Sequence, residues 1–317
     1  MNKINRRCIV CNSNNYKKLF NMSYEYSKNV LNSDPERKYG WKKDTHHWIV
    51  ECINCGCSYV PDIIKGLSLD INEKKISSSE FENHLSSFYK NDLLNNLHDV
   101  NYNKSILDNL LNILKKKQNV KILDYGSGNA ELSIFNSIPS IDSITSYDPL
   151  YPHNINEIFK KLNINSEAYN DLSKMKKNEK FDLIICQSVI EHVTYPDQEI
   201  KNMKKILSTE GIIYINNPYM PIKDDLNKLL KAKTITKKNR LSCYHIDHIN
   251  YMTPSTFTKL IKNNDLKVLN FWQKFYSSGR EQKLFELFKI NLNSFIHYLV
   301  DAIGYYYKKQ HFFLTHK

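Results

Sequence analysis

Between Ser77 and Lys117 apolar residues recur at helical spacing. Phe81, Leu85, Phe88 and Tyr89 form one stripe, and Ile106, Leu107, Leu110, Leu111 and Leu114 form a second. Ser78 or Ser79 stands where the first helix needs a cap. Beyond this point the period changes. Val120-Lys121-Ile122-Leu123 reads as a short buried strand, and strand-like runs return at 143–147, 181–187, 211–216 and 267–273. Helical segments fall between them, around 152–162, 197–207 and 255–263. Such alternation predicts an α/β fold with a doubly wound, mainly parallel sheet and helices on both faces.

The stretch after this pattern is different. Leu284, Phe285, Leu287, Phe288, Leu292, Phe295, Ile296, Leu299 and Val300 form an apolar stripe at helical spacing, followed by Tyr305-Tyr306-Tyr307. It predicts a helical C-terminal extension that packs on the core or pairs with a second copy as a homodimer; resting on a membrane surface is a third reading. The most apolar part, 295–307, is interrupted by His297 and Asp301 and is too short to span a bilayer. The expected organisation is therefore 1–70, a small cysteine-bearing domain; 71–118, a helical lead-in; 119–275, the α/β domain; and 276–317, the extension.

Composition adds limits. The 317 residues are 41% hydrophobic and 25% charged, enough for a proper core. The net charge of +12 permits an anionic partner: nucleic acid, a nucleotide-linked sugar or a membrane surface. Equally, lysine is frequent throughout and scattered apart from runs such as Lys115-Lys116-Lys117, as on an ordinary solvated surface. The opening MNKINRRCIV has no apolar signal-peptide core, so the expected location is cytoplasmic, with the seven cysteines as thiols or metal ligands.

Four of those cysteines form two Cys-x-x-Cys pairs, Cys8/Cys11 and Cys52/Cys55. Each pair can wrap a tight turn with both sulfurs facing one ion, and two such turns complete a tetrahedral thiolate site that suits zinc. The 40-residue gap between them suggests a zinc ribbon with an inserted loop, in which HHWIVECINCG is a strand leading into the second knuckle. Cys57, His46 and His47 are substitute ligands, and unpaired buried thiols are the alternative. Four thiolates leave no open position, so the metal would be structural.

The strand at 120–123 runs into Asp124-Tyr-Gly126-Ser-Gly128-Asn-Ala130-Glu131. A dinucleotide site wants a third glycine where Glu131 stands, and a carboxylate there would repel a pyrophosphate. An acid two residues before the first glycine instead resembles the first motif of the Rossmann-like class I S-adenosylmethionine (SAM) methyltransferases. Asp148, 24 residues after Asp124, matches the family's ribose-binding acid, and Asp171 matches an acid that contacts the adenine amino group. FDLIICQSVIEHV and LSTEGIIYINNP resemble the fourth and fifth strands, with Gly211 in the turn before the fifth. A cysteine ribbon ending in Cys-x-x-Cys-Gly and the late His245-Ile-Asp-His248-Ile-Asn250-Tyr-Met-Thr253-Pro254 look like a bacterial subgroup that modifies sugars or other small metabolites. The resemblance covers roughly residues 1–275.

It implies SAM as cofactor, contacted by Asp124, Gly126, Gly128, Asp148, Asp171 and Gln187, with Ser188 beside it. If the acceptor is a hydroxyl or an acidic carbon, a base must take its proton. His192, His245 and His248 are the candidates, with Glu191 orienting one of them or only capping a helix. Tyr89 and Tyr102 either close over the cofactor or pack half-buried. The expected function is methyl transfer to a small molecule such as a sugar, nucleotide-sugar or phosphorylated metabolite. Two alternatives stand beside it: an RNA methyltransferase gripping RNA through the ribbon, though the ribbon lacks a dense basic patch with interleaved aromatics, and an inactive zinc-dependent interaction protein.

Overall fold

A computed structural model describes residues 3–22, 24, 43, 46–64, 77–92, 97–218, 248–269 and 309–316. In chain order the strands are β1 (Lys3–Asn5), β2 (Tyr16–Asn21), β3 (Trp48–Cys52), β4 (Ser58–Tyr59), β5 (Asp62–Ile64), β6 (Val120–Tyr125), β7 (Ile141–Tyr147), β8 (Glu167–Tyr169), β9 (Phe181–Gln187), β10 (Leu207–Pro218), β11 (Asn250–Tyr251), β12 (Leu266–Leu269) and β13 (Lys309–His316). The helices are α1 (Ser78–Ser87), α2 (Leu97–Ile113), α3 (Ile155–Lys161), α4 (Pro196–Ile206) and α5 (Pro254–Asn263).

The main sheet has seven strands in the order β12-β13-β10-β9-β6-β7-β8. From β10 to β8 every pairing is parallel. Alternation within the strands covers both faces. On β9, Ile184 and Cys186 enter one core while Leu183 and Ile185 enter the other; on β10, Ile213 and Ile215 oppose Ile212 and Tyr214 in the same way. Ile106, Leu107 and Leu110 of α2, with Leu114 just past its end, cover one face, and Ile200, Met203, Phe257, Leu260 and Ile261 of α4 and α5 cover the other. This is the expected Rossmann-like α/β fold. The chain leaves β6 for β7 on one side and returns through β9 on the other, so strand order reverses between β6 and β9. In open α/β sheets that reversal opens a crevice at the carboxyl ends of the strands.

Three expectations are corrected. The first helix is capped by Ser77, not Ser78 or Ser79, which lie inside the helix: Ser77 is extended (φ −63°, ψ 151°), Glu80 N–H donates to its side chain, and Glu80 Oε2 accepts from Ser77 N–H at 3.0 Å. Gly211 lies inside β10, where the register with β9 shifts between Leu207 and Ile212, and not in a turn before the strand. The end of the chain is not helical over 309–316. It forms β13, antiparallel to both β10 and β12, which seats Phe312 and Leu314 in the core. The edge of β10 supplies a ladder of unpaired backbone groups that this segment satisfies. The rest of the predicted extension, including the stripe 284–300, lies outside the described residues.

The N-terminal residues form a second sheet, order β11-β4-β3-β2, and the pair β1-β5. The segment leading into the second cysteine pair is a strand, β3, as expected. The fourth strand of this sheet, β11, comes from the region just before α5. Cys8, Val10, Val50, Cys52, Cys57 and Tyr59 share one continuous core with β9, β10, α4 and α5, so the lobe is built onto the main sheet.

Candidate active site

The turn after β6 is shaped by backbone conformation. Gly126 has φ +75°, Gly128 φ +50° and Ala130 φ +54°, three left-handed residues among five. Gly126 and Ser127 N–H both donate to the Tyr147 carbonyl, at 2.7 and 3.0 Å, drawing the turn against the end of β7. A Cβ on Gly126 would lie 2.3 Å from Val189 Cγ2, whereas one on Gly128 would meet nothing within 4 Å. Close approach demands the first glycine; conformation alone favours the second. The Tyr89 hydroxyl steadies the turn from outside, within 3.1 Å of the Asn129 carbonyl and 2.9 Å of the Ala130 carbonyl.

Beside the turn lies a cavity of about 360 Å³ lined by Tyr102, Asn103, Asp124, Gly126, Ser127, Glu131, Leu132, Gln187 and Ser188. Burial, followed by the charges of Glu131 and Asp148, pushes the Asp124 carboxyl up to about 8. Burial likewise raises Asp148, whose Oδ2 accepts from Gly128 N–H at 3.1 Å and whose Oδ1 accepts from Leu150 N–H at 2.9 Å. Among the described residues the lining contains no lysine or arginine. Such a site disfavours a pyrophosphate and fits a ligand that brings positive charge. Gln187 and Ser188 line it too.

Asn103 and Glu131 line the cavity without having been candidates for the site on sequence grounds. Asn103 on α2 donates to Glu131 Oε2 at 3.2 Å and faces Gln187 Nε2 at 3.4 Å. Glu131 was legible only as an objection to a dinucleotide, and here it is one of the charges that raise Asp124. Asn103 carries no sequence signal, because a single asparagine on a helix looks like surface. Tyr102 lines the cavity as well as receiving a hydrogen bond from Asn216 at 3.2 Å. Asp171 sits at the carboxyl end of β8 on an exposed turn, where hydrogen bonds from Ser173 hold its carboxyl below the usual value. It does not line the cavity.

Three residues past Ser188, the chain presents Glu191 and His192, and the start of β11 brings His248 to them. One ligand-capable atom from each of Glu191, His192 and His248 lies within 4.8 Å of the others. The two imidazoles meet edge to face, with ring centroids 4.7 Å apart. Glu191 and His248 are buried and His192 is half-buried. Two imidazoles and a carboxylate so arranged can accept and pass on a proton near neutral pH. His245, the remaining candidate, lies outside the described residues.

The four cysteines of the two pairs also converge. The sulfurs of Cys8, Cys11, Cys52 and Cys55 all lie within 4.8 Å of one another, with Cys8–Cys55 and Cys11–Cys52 at 3.4 Å. Tetrahedral zinc with bonds of about 2.3 Å needs sulfurs at comparable separations. A hydrogen bond from buried Cys57 is the main cause that lowers the Cys8 thiol to about 4. Cys57 stands outside the set of four, buried, with its Sγ 3.7 Å from the Ser58 carbonyl. His46 is engaged elsewhere, with Nδ1 2.8 Å from Asn21 Nδ2.

A mainly parallel sheet with a glycine turn and acid-lined cavity at its switch point defines a Rossmann-like protein of the class I methyltransferase type. The chain belongs to the family described as "Methyltransferase domain", whose profile matches residues 97–270. It is 26% identical over 159 residues to a ubiquinone biosynthesis O-methyltransferase of Pelagibacter ubique, covering 49% of this chain and 64% of that one. A protein of the same name from Coxiella burnetii is 26% identical over 110 residues, 35% of this chain and 46% of that one. The chain thus spans less than two thirds of the length of either relative. Among solved structures, PKMT2 from Rickettsia typhi aligns at 18% identity and a TM-score of 0.41, covering 67% of this chain and 52% of that one.

Proposed function

We propose that this protein transfers a methyl group from SAM to a small molecule. The cavity beside Gly126 carries the reading: buried Asp124, with Glu131 and Asp148 near it and no lysine or arginine in the lining among the described residues, is an environment a positively charged ligand relieves. When bound, SAM supplies an electrophilic methyl group on a sulfonium. Asp148 would accept hydrogen bonds from the ribose hydroxyls, Gly126 and Gly128 admit the ligand to the backbone, and Gln187 and Ser188 bound the far side. Asp171, at the same sheet edge, is assigned to the adenine end.

His192 or His248 would take the acceptor's proton while Glu191 orients the imidazole and balances its charge. His245 stays a candidate on sequence grounds. The acceptor we infer is a sugar, a nucleotide-sugar or a related phosphorylated metabolite; relatives named for ubiquinone biosynthesis favour a small acceptor, and the net charge of +12 favours an anionic one. The four cysteines would hold a structural zinc ion. The protein would act in the cytoplasm; among the described residues no helix is long and apolar enough to cross a membrane.

The test is transfer of labelled methyl from SAM into a cell extract separated into low-mass and RNA fractions. Label in the low-mass fraction supports the proposal and yields a compound to identify. Label in RNA overturns the acceptor class, and absence of both label and SAM binding overturns the enzyme reading.

A further inference from the structure

Arg6 is buried in the N-terminal lobe, but most of what it holds belongs to the main domain. Its Nε donates to the Val60 carbonyl at 2.8 Å. Nη1 donates to the Thr194 carbonyl at 2.8 Å and to Asn250 Oδ1 at 2.7 Å, and Nη2 donates to the Ile249 carbonyl. Asn250 extends the clasp, its Nδ2 donating to the carbonyls of Ile190 and Val193 at 2.8 and 2.7 Å. The N–H groups of Ile249 and Asn250 both donate to the Glu191 carbonyl, at 2.8 and 3.1 Å. Two backbone segments, 190–194 and 248–250, are therefore tied together with one guanidinium at their crossing. They are the segments that carry Glu191, His192 and His248. The same Asn250 begins β11, which pairs with β4 as the edge of the N-terminal sheet.

We propose that Arg6 is a positioning residue that holds His248 in register with Glu191 and His192, so that the cysteine lobe serves proton transfer as well as stability. The inference rests on the acid–base role given to those three residues above. A planar fork with five donors can serve four acceptors on three segments at once; lysine, with a single ammonium on a flexible stem, cannot. A displacement of the order of 1 Å between base and acceptor is enough to lower a rate about a hundred-fold.

The experiment compares full-length wild type, Arg6→Lys and Arg6→Met by three readouts: SAM affinity by calorimetry, labelled methyl transfer into the low-mass fraction, and the histidine ring titrations by NMR. Folded Arg6→Lys should keep wild-type SAM affinity, lose transfer about a hundred-fold, and show moved titrations for His192 and His248. Arg6→Met should do the same more severely, and if it does not fold, Arg6→Lys decides. Wild-type transfer and unmoved histidine titrations in Arg6→Lys would overturn the inference, as would loss of SAM affinity in proportion to transfer. If wild type binds no SAM, the proposed function fails, and the histidine titrations still decide whether Arg6 positions the cluster.

Discussion

Replacing Gly126 by alanine probes the turn that carries the cofactor reading. The residue sits at φ +75°, where a Cβ destabilises the backbone by about 1–2 kcal/mol. That Cβ would also lie 2.3 Å from Val189 Cγ2 and 3.2 Å from Cγ1, so the turn after β9 must retreat, and overpacking of this kind costs about 1–3 kcal/mol. The expected loss is about 2–5 kcal/mol out of a total stability of about 5–15 kcal/mol. Val189→Ala removes both γ-methyls and by itself should destabilise by about 1.5 kcal/mol. The double variant makes room for the new Cβ while leaving the backbone strain in place. The two substitutions should therefore couple favourably, by about 1–3 kcal/mol. Urea unfolding of wild type, both single variants and the double variant measures the coupling. Additivity within about 0.5 kcal/mol would refute the steric account and leave the left-handed backbone as the whole effect. Because Ser188, next to Val189, lines the same cavity as Gly126, SAM affinity should fall in Gly126→Ala and partly recover in the double variant.

Asp124 yields a pH prediction. Its folded-state value of about 8 lies above the ordinary 3.8, so in the ligand-free protein its contribution to stability is present at low pH and is lost as pH rises toward 8. Thermal melts should show Asp124→Asn gaining stability over wild type near pH 8 and not near pH 4. A positively charged ligand favours the ionised carboxylate, so wild-type SAM affinity should rise relative to Asp124→Asn as pH approaches 8; parallel profiles would sink the idea, since the ligand's own titration is common to both. Elemental analysis should find about one zinc per chain, and Cys52→Ser, which removes a buried thiol of the four-cysteine cluster, should lower both zinc content and melting temperature. Ending the chain after Lys308 removes β13; loss of buried Phe312 and Leu314 costs about 3–6 kcal/mol in apolar burial, and the truncated protein should be insoluble or unfolded by circular dichroism.

What could be read from the sequence is what short stretches of chain decide. The apolar runs within β6, β9 and β10 announced a two-sided sheet because the part of a strand buried on both faces is mostly apolar. The helical lead-in was visible because Ile106, Leu107, Leu110 and Leu114 must face one way. The glycine turn was legible for the same reason: its left-handed residues and Asp124 fall within seven positions, so chemistry and conformation are written together. Each cysteine pair is likewise a local turn.

Tertiary structure decided everything whose partners are far apart in the chain. Residues 309–316 hold only a short apolar run, Phe312-Phe313-Leu314, with no alternation of their own, and the open edge of β10 makes them a strand. Asn250 looked like part of a histidine motif, and the fold makes it the edge of the N-terminal sheet and the tie between Ile190 and Val193. Asn103 joins the cavity because α2 packs across the sheet, where it meets Glu131 of the turn after β6. Arg6 meets Thr194 and Asn250 across 188 and 244 residues of sequence. Periodicity and local propensity carry no information at such separations; packing of the two lobes into one core alone determines which backbone carbonyls a buried guanidinium can reach.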